Sequence, residues 1–518
     1  MKITIIRPPE LIQALNVAEL ITPPIGPAYV AAAVREAGHD VTLIDAVALG
    51  IETFTKRERN TLLHGLPYDE ILDRIPAGTD CIGVSANFSF EWPVCRPLLQ
   101  KIRERFPNAL LIAGGEHATA VPEFSIGDSP LDAVVLGEGE KTTVELLKAY
   151  EQQGKAGLAS VNGIAYRDTG GMIQRTPTAT RINDLKSIAW PAWDLLPMEN
   201  YLSRGLGFGV NRGRSVPILA SRGCPYQCTF CSNPQMWTVR WKARDPDDVL
   251  DEIAVMQDKY QATNFDFYDL TMIVRKEWII DFAKAIERRN MHFTWQLPSG
   301  TRSEAIDAEV TDALYRTGCR NVSYSPESGS EETLKLIKKR VSIPKLMKSM
   351  NTAVKSGLNV KCNFILGFPP DTWKNIFETF CALVRAAWAG IHDVSVFIFA
   401  PYPGSELFVQ LQKEGKITQM DDDYFYRLAA YGDVTQTYSF CRALNKNQLL
   451  ISRVFATFLF YGSSWLFRPW RPIRIAYNLV SGHLESRGEF ALRGFFRRLF
   501  KGKFKKQSMV PAAEQRAA

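Results

Sequence analysis

At 518 residues the chain is too long for one ordinary domain, and two or three domains with full cores are expected. Hydrophobic content of 46% and charged content of 23% are ordinary for a soluble globular protein, which argues against a disordered or fibrous chain. The net charge of +7 is held unevenly: residues 451–518 carry 9 Arg and 4 Lys against 3 Glu, leaving residues 1–450 at −3, so the basic character belongs to the tail.

The N-terminus MKITIIRPPE reads as a strand entering a Pro-rich loop, not as a secretory signal. Residues 1–148 then alternate apolar runs with helical patterns. KITIIRP, DVTLIDAV, CIGVSAN, ALLIAGG and AVVLGEGE read as strands; GPAYVAAAVREAGH, VCRPLLQKIRERF and EKTTVELLKAYEQQ read as helices. Such alternation predicts an α/β domain with a doubly wound parallel sheet and its ligand at the carboxyl ends of the strands. The loops that carry Ser85, then Gly114, Gly115 and His117, then Gly137 and Glu138 stand at those ends.

Residues 149–210 read as a connector, with a short β-rich stretch before the Pro- and Trp-containing IAWPAWDLLPMENY. From 211 to 440 a second alternating series follows, with strands VPILAS, NFDFYD, HFTWQL, NVSYSP, VKCNFILGF and DVSVFIFAPYP. Six strands with helical crossovers predict a partial (βα)6 barrel. Residues 441–518 form a helical, basic and aromatic extension that ends in low-complexity sequence expected to be disordered. Its longest apolar run, Val454 to Phe467, falls short of the about 20 residues that span a bilayer.

Without an export signal, the nine cysteines read as thiols or metal ligands, not as a disulfide frame. Cys81, Cys95, Cys319, Cys362, Cys381 and Cys441 sit in apolar or helical contexts and are expected to be buried hydrophobes. Cys224, Cys228 and Cys231 fall together in LASRGCPYQCTFCSNPQMW, after the first strand of the second series, where barrel enzymes place their chemistry. Gly223 and Pro225 allow the tight turns by which one loop brings three thiolates around a cubane. A structural zinc site needs a fourth ligand, and the nearest histidine on the C-terminal side is His292. Electron-transfer clusters take four cysteines, whereas three leave one iron open. A zinc knuckle and chance clustering are the alternatives.

The segment resembles the radical SAM superfamily, whose CxxxCxxC signature with an aromatic before the last cysteine is matched by Cys224, Cys228, Phe230 and Cys231. The resemblance implies a [4Fe-4S] cluster on the three cysteines, with S-adenosylmethionine (SAM) on the open iron and its reductive cleavage to methionine and a 5′-deoxyadenosyl radical. NFDFYDLTM is similar to the family's second-strand motif, with Leu270 where many relatives carry Asp. YSPESGSEETLKLIKK resembles the strand-four motif, which implies that Glu327 contacts the SAM ribose; an N-cap carboxylate is the plainer reading. NFILGFPPDT resembles the strand-five motif near adenine, with Asn363 and Gly367 in the matching places, although Gly367 also suits a plain turn. PYPGSELF resembles the ending of strand six.

The first half resembles the cobalamin-binding domain that precedes the radical SAM core in the group of cobalamin-dependent methylases and the anaerobic magnesium-protoporphyrin cyclase. This implies cobalamin beside Ser85, Gly114, Gly115, His117, Gly137 and Glu138; a degenerate scaffold and a satisfied loop histidine at 117 are the alternatives. The DxHxxG motif that supplies a lower-axial histidine is missing, since Asp45 is followed by AVALG.

In the tail, Phe490, Leu492, Phe495, Phe496, Leu499 and Phe500 stand against Arg493, Arg497, Arg498 and Lys501. That pattern suits an amphipathic helix at an anionic membrane surface, or a helical cap over the barrel. No RNA-binding signature accompanies it, and no nucleic acid partner is expected. The expected function is methylation of an unactivated carbon of a hydrophobic small molecule, a hopanoid, other terpenoid or tetrapyrrole. Oxidative cyclisation or oxygen insertion is the alternative, and a non-enzymatic Fe–S redox or RNA-binding protein the remote one. A flavodoxin- or ferredoxin-type electron donor is implied, in the cytoplasm or at the inner face of its membrane.

Overall fold

A computed structural model describes residues 1–13, 21–59, 61–302, 305–429, 437–482 and 484–500, the last six without their side chains. The expected disorder of the final dozen residues, and the outer half of the amphipathic face (495–501), lie outside the described residues.

The first sheet contains strands β1 (Lys2–Arg7), β2 (Asp40–Asp45), β3 (Cys81–Ser85), β4 (Leu110–Gly114), β5 (Ala133–Val135), β6 (Ile164–Arg167) and β7 (Ile173–Arg175). Their spatial order is β7-β6-β5-β4-β3-β1-β2, with β2, β1, β3, β4 and β5 parallel and the last two antiparallel. The parallel strands are near-continuous apolar runs because both faces are covered. Ala28, Ala31 and Leu146 from helices Ile25–Glu36 and Gly139–Gln153 pack on Ile3, Ile5 and Ile112. On the other face Leu98, Leu99 and Ile102 from helix Trp92–Arg105 pack on Ile82, Val84 and Leu111. The doubly wound reading is correct. The β-rich stretch read as part of a connector extends this sheet at its edge, and the remainder is a packed wedge with Trp193 and Tyr201 fully buried.

The second sheet has strands β8 (Ser215–Ile218), β9 (Asn264–Phe267), β10 (Thr294–Thr301), β11 (Cys319–Glu327), β12 (Asn359–Leu366) and β13 (Asp393–Ile398). They run parallel in sequence order and stay open between β8 and β13, as a partial barrel does. Along β12, Val360, Cys362, Phe364 and Leu366 are buried in the core, while Asn359, Lys361, Asn363 and Ile365 alternate onto the lumen.

Helix α1 (Trp373–Ala389) covers the β12–β13 crossover, and α2 (Lys446–Phe467), α3 (Arg471–Ser481) and α4 (Arg487–Phe500) follow as the tail. The apolar run foreseen from 454 to 467 belongs to a longer helix, because Asn445 and Gln448 form a capping box and Leu449 to Ile451 extend the apolar stretch. By length and composition α2 could cross a membrane, but it lies along α1 and β13 with Leu449, Ala456 and Phe460 buried.

Four of the tail's arginines brace the backbone of the barrel and the wedge. Arg468 donates to the carbonyls of Ala387 and Trp388 at 2.9 and 3.0 Å, and Arg471 to those of Gly390 and Ile391 at 2.6 and 2.7 Å. These carbonyls lie in the last turn of α1 and just past it, where the helix dipole also favours a cation. Arg453 holds Val396 O at 2.9 Å and Arg487 holds Gly209 O at 3.0 Å. The described part of the tail packs on the barrel as a helical cap does, with Arg453, Arg468, Arg471 and Arg487 bonded to backbone carbonyls where the cap reading expects solvated arginines.

Four of the six scattered cysteines are buried as expected. Cys381 and Cys441 are half-exposed, the first on α1 and the second with its thiol 3.2 Å from Asp371 O.

Arg471→Ala removes two carbonyl contacts and a 2.6 Å bond to Ser464, and is expected to cost about 2–3 kcal/mol in denaturant unfolding.

Candidate active site between the two domains

The cysteine loop leaves the barrel just past β8. Asp269 ties down its start, accepting from Ala220 N at 3.1 Å and from the Ser221 hydroxyl. Gly223 is obligatory at the turn: its φ is +85°, and a Cβ there would sit 2.1 Å from Arg240 O. Further along, Thr229 is clamped by backbone bonds to Ile337 O (3.0 Å) and from Leu407 N (2.9 Å). Phe230 packs on Phe368 with ring centroids 5.5 Å apart, next to Gly367 at the end of β12.

All three cysteines are partly exposed free thiols. Burial pushes each of them up, Cys231 to about 12, while Lys339 and Arg302 act against it at Cys224 and Cys228. The guanidinium of Arg302 lies 3.5 Å from the Tyr226 ring centroid, inside the loop. Among the described residues no three His, Cys, Asp or Glu side chains converge on a single-ion site. A cubane asks for something else, one thiolate on each of three irons, and one short loop with two adjacent cations fits that demand.

Glu327 ends β11 at φ +65°, a conformation non-glycine residues adopt sparingly. Its carboxylate accepts from Lys339 Nζ at 2.9 Å, with both side chains buried. Burial alone would push Lys339 down; Glu327 and Cys228 hold it above its ordinary value. No sequence signal singled out Lys339. Asn363 lies 3.4 Å from Ser325 Oγ in the lumen. Gly367 is more than a turn residue, since at φ +82° a Cβ would meet Leu449 of α2 at 2.7 Å. Asp371, pushed up to about 6 by burial, accepts from its N–H and from Phe368 N at 3.0 Å each.

The carboxyl ends of the first sheet face this loop across a cavity of about 1740 Å³. Ser85, Gly114, Gly115, Gly137 and Glu138 line it from one side, and Phe230 and Cys231 from the other. Gly115, at φ +115°, brings backbone so close that a Cβ would lie 2.7 Å from Ala86 O. The volume exceeds the roughly 300–1,000 Å³ of a single-ligand pocket. Glycine-floored loops and an apolar wall of that size fit a corrin, with further room for SAM and a substrate. Asp45 is turned elsewhere: it caps Val47 N and Ala48 N at 3.2 Å and accepts from Tyr201 OH at 2.5 Å. The chain therefore offers no cobalt ligand there.

Two of the expected cofactor residues have other partners. His117 does not line the cavity. It is buried against Trp92 (4.7 Å between centroids), bonds Ser89 at 3.0 Å, and is pushed down to about 3 by burial, so it stays neutral. The loop needs an aromatic wedge there, and the neighbouring Glu116 makes the contact across the cavity by accepting from Ser232. Glu138 touches the cavity, but its carboxylate is spent on Arg181 Nε (2.8 Å), Ile182 N (3.0 Å) and Arg222 (3.3 Å). Arg222, which precedes Gly223, also donates to Glu140 at 2.5 Å and lies over the Tyr29 ring at 4.9 Å. Burial would lower Arg222, and Glu140 and Glu138 outweigh it. Sequence reasoning did not find this domain-bridging network, because Arg222 stands 84 and 82 residues along the chain from Glu138 and Glu140.

Comparison with known proteins agrees with this geometry. The Radical SAM superfamily model matches residues 218–380 and the B12 binding domain model matches residues 13–147. An uncharacterized methyltransferase of Pyrococcus horikoshii is 30% identical, with 79% of this chain and 82% of that protein covered. The chain belongs to the B12-binding radical SAM family. Another member of the family, the anaerobic magnesium-protoporphyrin IX monomethyl ester cyclase of Rubrivivax gelatinosus, is 27% identical over 75% of this chain and 66% of its own length. Among solved structures, the cobalamin-dependent SAM radical enzyme OxsB, with aqua-cobalamin and SAM bound, superposes with a TM-score of 0.66. It is 16% identical and covers 98% of this chain and 82% of that one, so the B12-binding radical SAM fold extends through the tail helices.

Arg222→Met leaves Glu138 and Glu140 buried with a lost partner, and is expected to cost about 3–5 kcal/mol of stability in denaturant unfolding. Replacing Glu138 by Gln and Glu140 by Gln in the same chain is expected to recover part of that loss.

Proposed function

We propose that this enzyme transfers a methyl group to an unactivated carbon of a hydrophobic small molecule, using SAM, a [4Fe-4S] cluster and cobalamin. The observation that carries the reading is a shared cavity: Phe230 and Cys231 of the cysteine loop face Gly114, Gly115 and Gly137 of the first domain across it. A radical formed at one wall and a methyl donor held at the other reach the same substrate. When bound, the cluster and the corrin would supply the electron and the methyl group respectively.

The protein's own part is positioning and exclusion. Cys224, Cys228 and Cys231 present three thiolates from one loop, and Lys339 and Arg302 make its surroundings electropositive. Glu327, held by Lys339, would offer its carboxylate to the hydroxyls of the SAM ribose, and Asn363 and Gly367 stand along the adjacent strand end. Phe230 and Phe368 keep water from the loop. Reductive cleavage consumes one electron per SAM, which a flavodoxin- or ferredoxin-type donor in the cytoplasm would deliver.

Membrane docking belongs to the same reading, but on a different face from the one the tail's sequence suggests. α3 turns Trp470, Ile473, Tyr477 and Val480 to solvent at helical spacing, and Val480 is 90% exposed. Phe455, Phe458 and Leu466 of α2 and Trp388 of α1 continue the exposed apolar surface. Phe458, Trp465 and Trp470 also line the cavity, so an apolar substrate would pass from this face to the site without crossing water. The cations of residues 497–506 supply the charge that suits an anionic leaflet.

Cys→Ala at 224, 228 or 231 is expected to abolish the cluster's absorbance and all SAM cleavage in anaerobically reconstituted protein; one fully active variant would overturn the ligand assignment. In turnover, S-adenosylhomocysteine should accompany 5′-deoxyadenosine, whereas deoxyadenosine with product and no S-adenosylhomocysteine would favour the oxidative chemistry of the cyclase.

Replacing Ile473 and Val480 together by Asp should weaken flotation with phosphatidylglycerol vesicles about tenfold or more. Undiminished flotation would remove the docking face.

A further inference from the structure

The cavity is apolar over most of its wall, yet at the far end of the barrel lumen it holds a lysine with no protein partner among the described residues. Lys361 is the third residue of β12 and alternates inward with Asn359, Asn363 and Ile365. It lines the same cavity as the cysteine loop, and its ammonium has no hydrogen-bond or ion-pair partner among the described residues. An ammonium group drawn back from bulk water into a mostly apolar cavity, with no protein partner, favours an anion that arrives from outside.

The charged neighbours do not supply one. Asp393 is the register partner of Lys361 on β13 and its charge raises the ammonium, but no hydrogen bond or ion pair joins them: Oδ1 accepts from Tyr461 OH at 2.5 Å and Val394 N at 2.9 Å, and Oδ2 from Gly488 N at 3.0 Å. The second cation at this end is Arg487 of α4, bonded to Gly209 O. Across the lumen on β9, Asp266 is likewise taken up, by Gly209 N at 2.9 Å, Asn264 at 2.9 Å and Gln296 at 3.1 Å. His392, pushed down to about 3 chiefly by burial, is neutral and accepts from Val360 N at 3.1 Å. Burial lowers the Lys361 ammonium, Asp393 raises it and Arg487 lowers it, the pattern of a cation short of counter-charge.

Position supplies the length of the ligand. Gly367, beside the Phe230–Phe368 contact, lies six residues beyond Lys361, which at the rise of a β-strand is about 20 Å. Ile365 and Phe397 contribute apolar wall between the two ends. A molecule that filled this lumen would be elongated and apolar, with its reacting carbon near the cysteine loop and any charged group at Lys361.

We propose that Lys361 is a specificity-determining residue that binds a terminal oxyanion, carboxylate or phosphate, of an elongated apolar substrate. The proposal rests on the barrel lumen being the substrate site of the reaction above. It narrows the substrate from a hydrophobic molecule to an anionic amphiphile.

The test is a binding measurement on reconstituted, SAM-loaded full-length protein, with oleate and its uncharged counterpart oleyl alcohol as probes below their aggregation limits. Wild-type protein is expected to bind oleate about tenfold or more tighter than the alcohol, the difference one charge-assisted hydrogen bond makes. Lys361→Met should bring the two affinities to within about twofold by weakening oleate alone, and Lys361→Arg should keep the preference. The alcohol's affinity reports that the lumen is intact in each variant. Equal affinities in the wild type, or an undiminished preference in Lys361→Met, would overturn the proposal. Because no turnover is measured, such a failure leaves the cluster and methyl-transfer reading standing, while failure of that reading shows separately in the cluster's absorbance and the SAM products.

Discussion

The arrangement depends on one buried contact, the guanidinium of Arg222 set between Glu138 and Glu140 and roofed by Tyr29. Glu138 and Glu140 come from the last βα loop of the parallel part of the first sheet, and Arg222 immediately precedes the turn into the cysteine loop. A charge desolvated in this way is strongly held only with its partners in place. The interaction therefore gives the loop a single docked position relative to the glycine-floored loops opposite. Arg181, stacked over Trp237 and bonded to Glu138, and Ser232, bonded to Glu116, extend the same seam. The cavity has its two functional walls because this seam holds them at a set separation.

Most of the charge at the heart of the molecule serves position and not chemistry. Arg468 and Arg471 satisfy the carbonyls that α1 leaves at its end, and Arg453 and Arg487 brace the barrel strand and the wedge from the tail side. Four arginines of the tail thus serve backbone carbonyls, while Ile473, Tyr477 and Val480 of α3 present an exposed apolar surface. Lys361 differs from these, a cation that faces open cavity with no partner among the described residues. The mostly apolar wall of the cavity strengthens any charge–charge contact it makes, as low dielectric surroundings do.

The open barrel and the tail form one functional unit. A partial barrel leaves an edge at β13, and α2 covers it with Leu449, Ala456 and Phe460 while Leu449 also packs on Gly367 at the site. The helices that close the fold are thus the ones that shape both the mouth and the deep end of the cavity. Packing of the barrel edge, the lining of the cavity and the exposed apolar surface are coupled through the same three helices.

Much of this was legible in the amino-acid order alone. Both parallel sheets follow from local hydrophobic period and turn residues, and the cysteine loop from spacings that only a few chemistries use; Ser85, Gly114, Gly115 and Gly137 follow because ligands collect at the carboxyl ends of parallel strands. Each of these signals is short-range, so a linear reading captures it. Other assignments needed the folded chain. His117 turned out to be a buried wedge, Glu138 a member of an ion network, Lys339 the partner of Glu327, and four of the tail's arginines donors to backbone carbonyls. Apart from the Glu327–Lys339 pair, 12 residues apart, the deciding contact joins residues far apart in sequence, and whether a polar group is free to act depends on whether a distant partner has already satisfied it. The chain order determined which chemistries were available, and tertiary packing decided which side chains were left over to perform them.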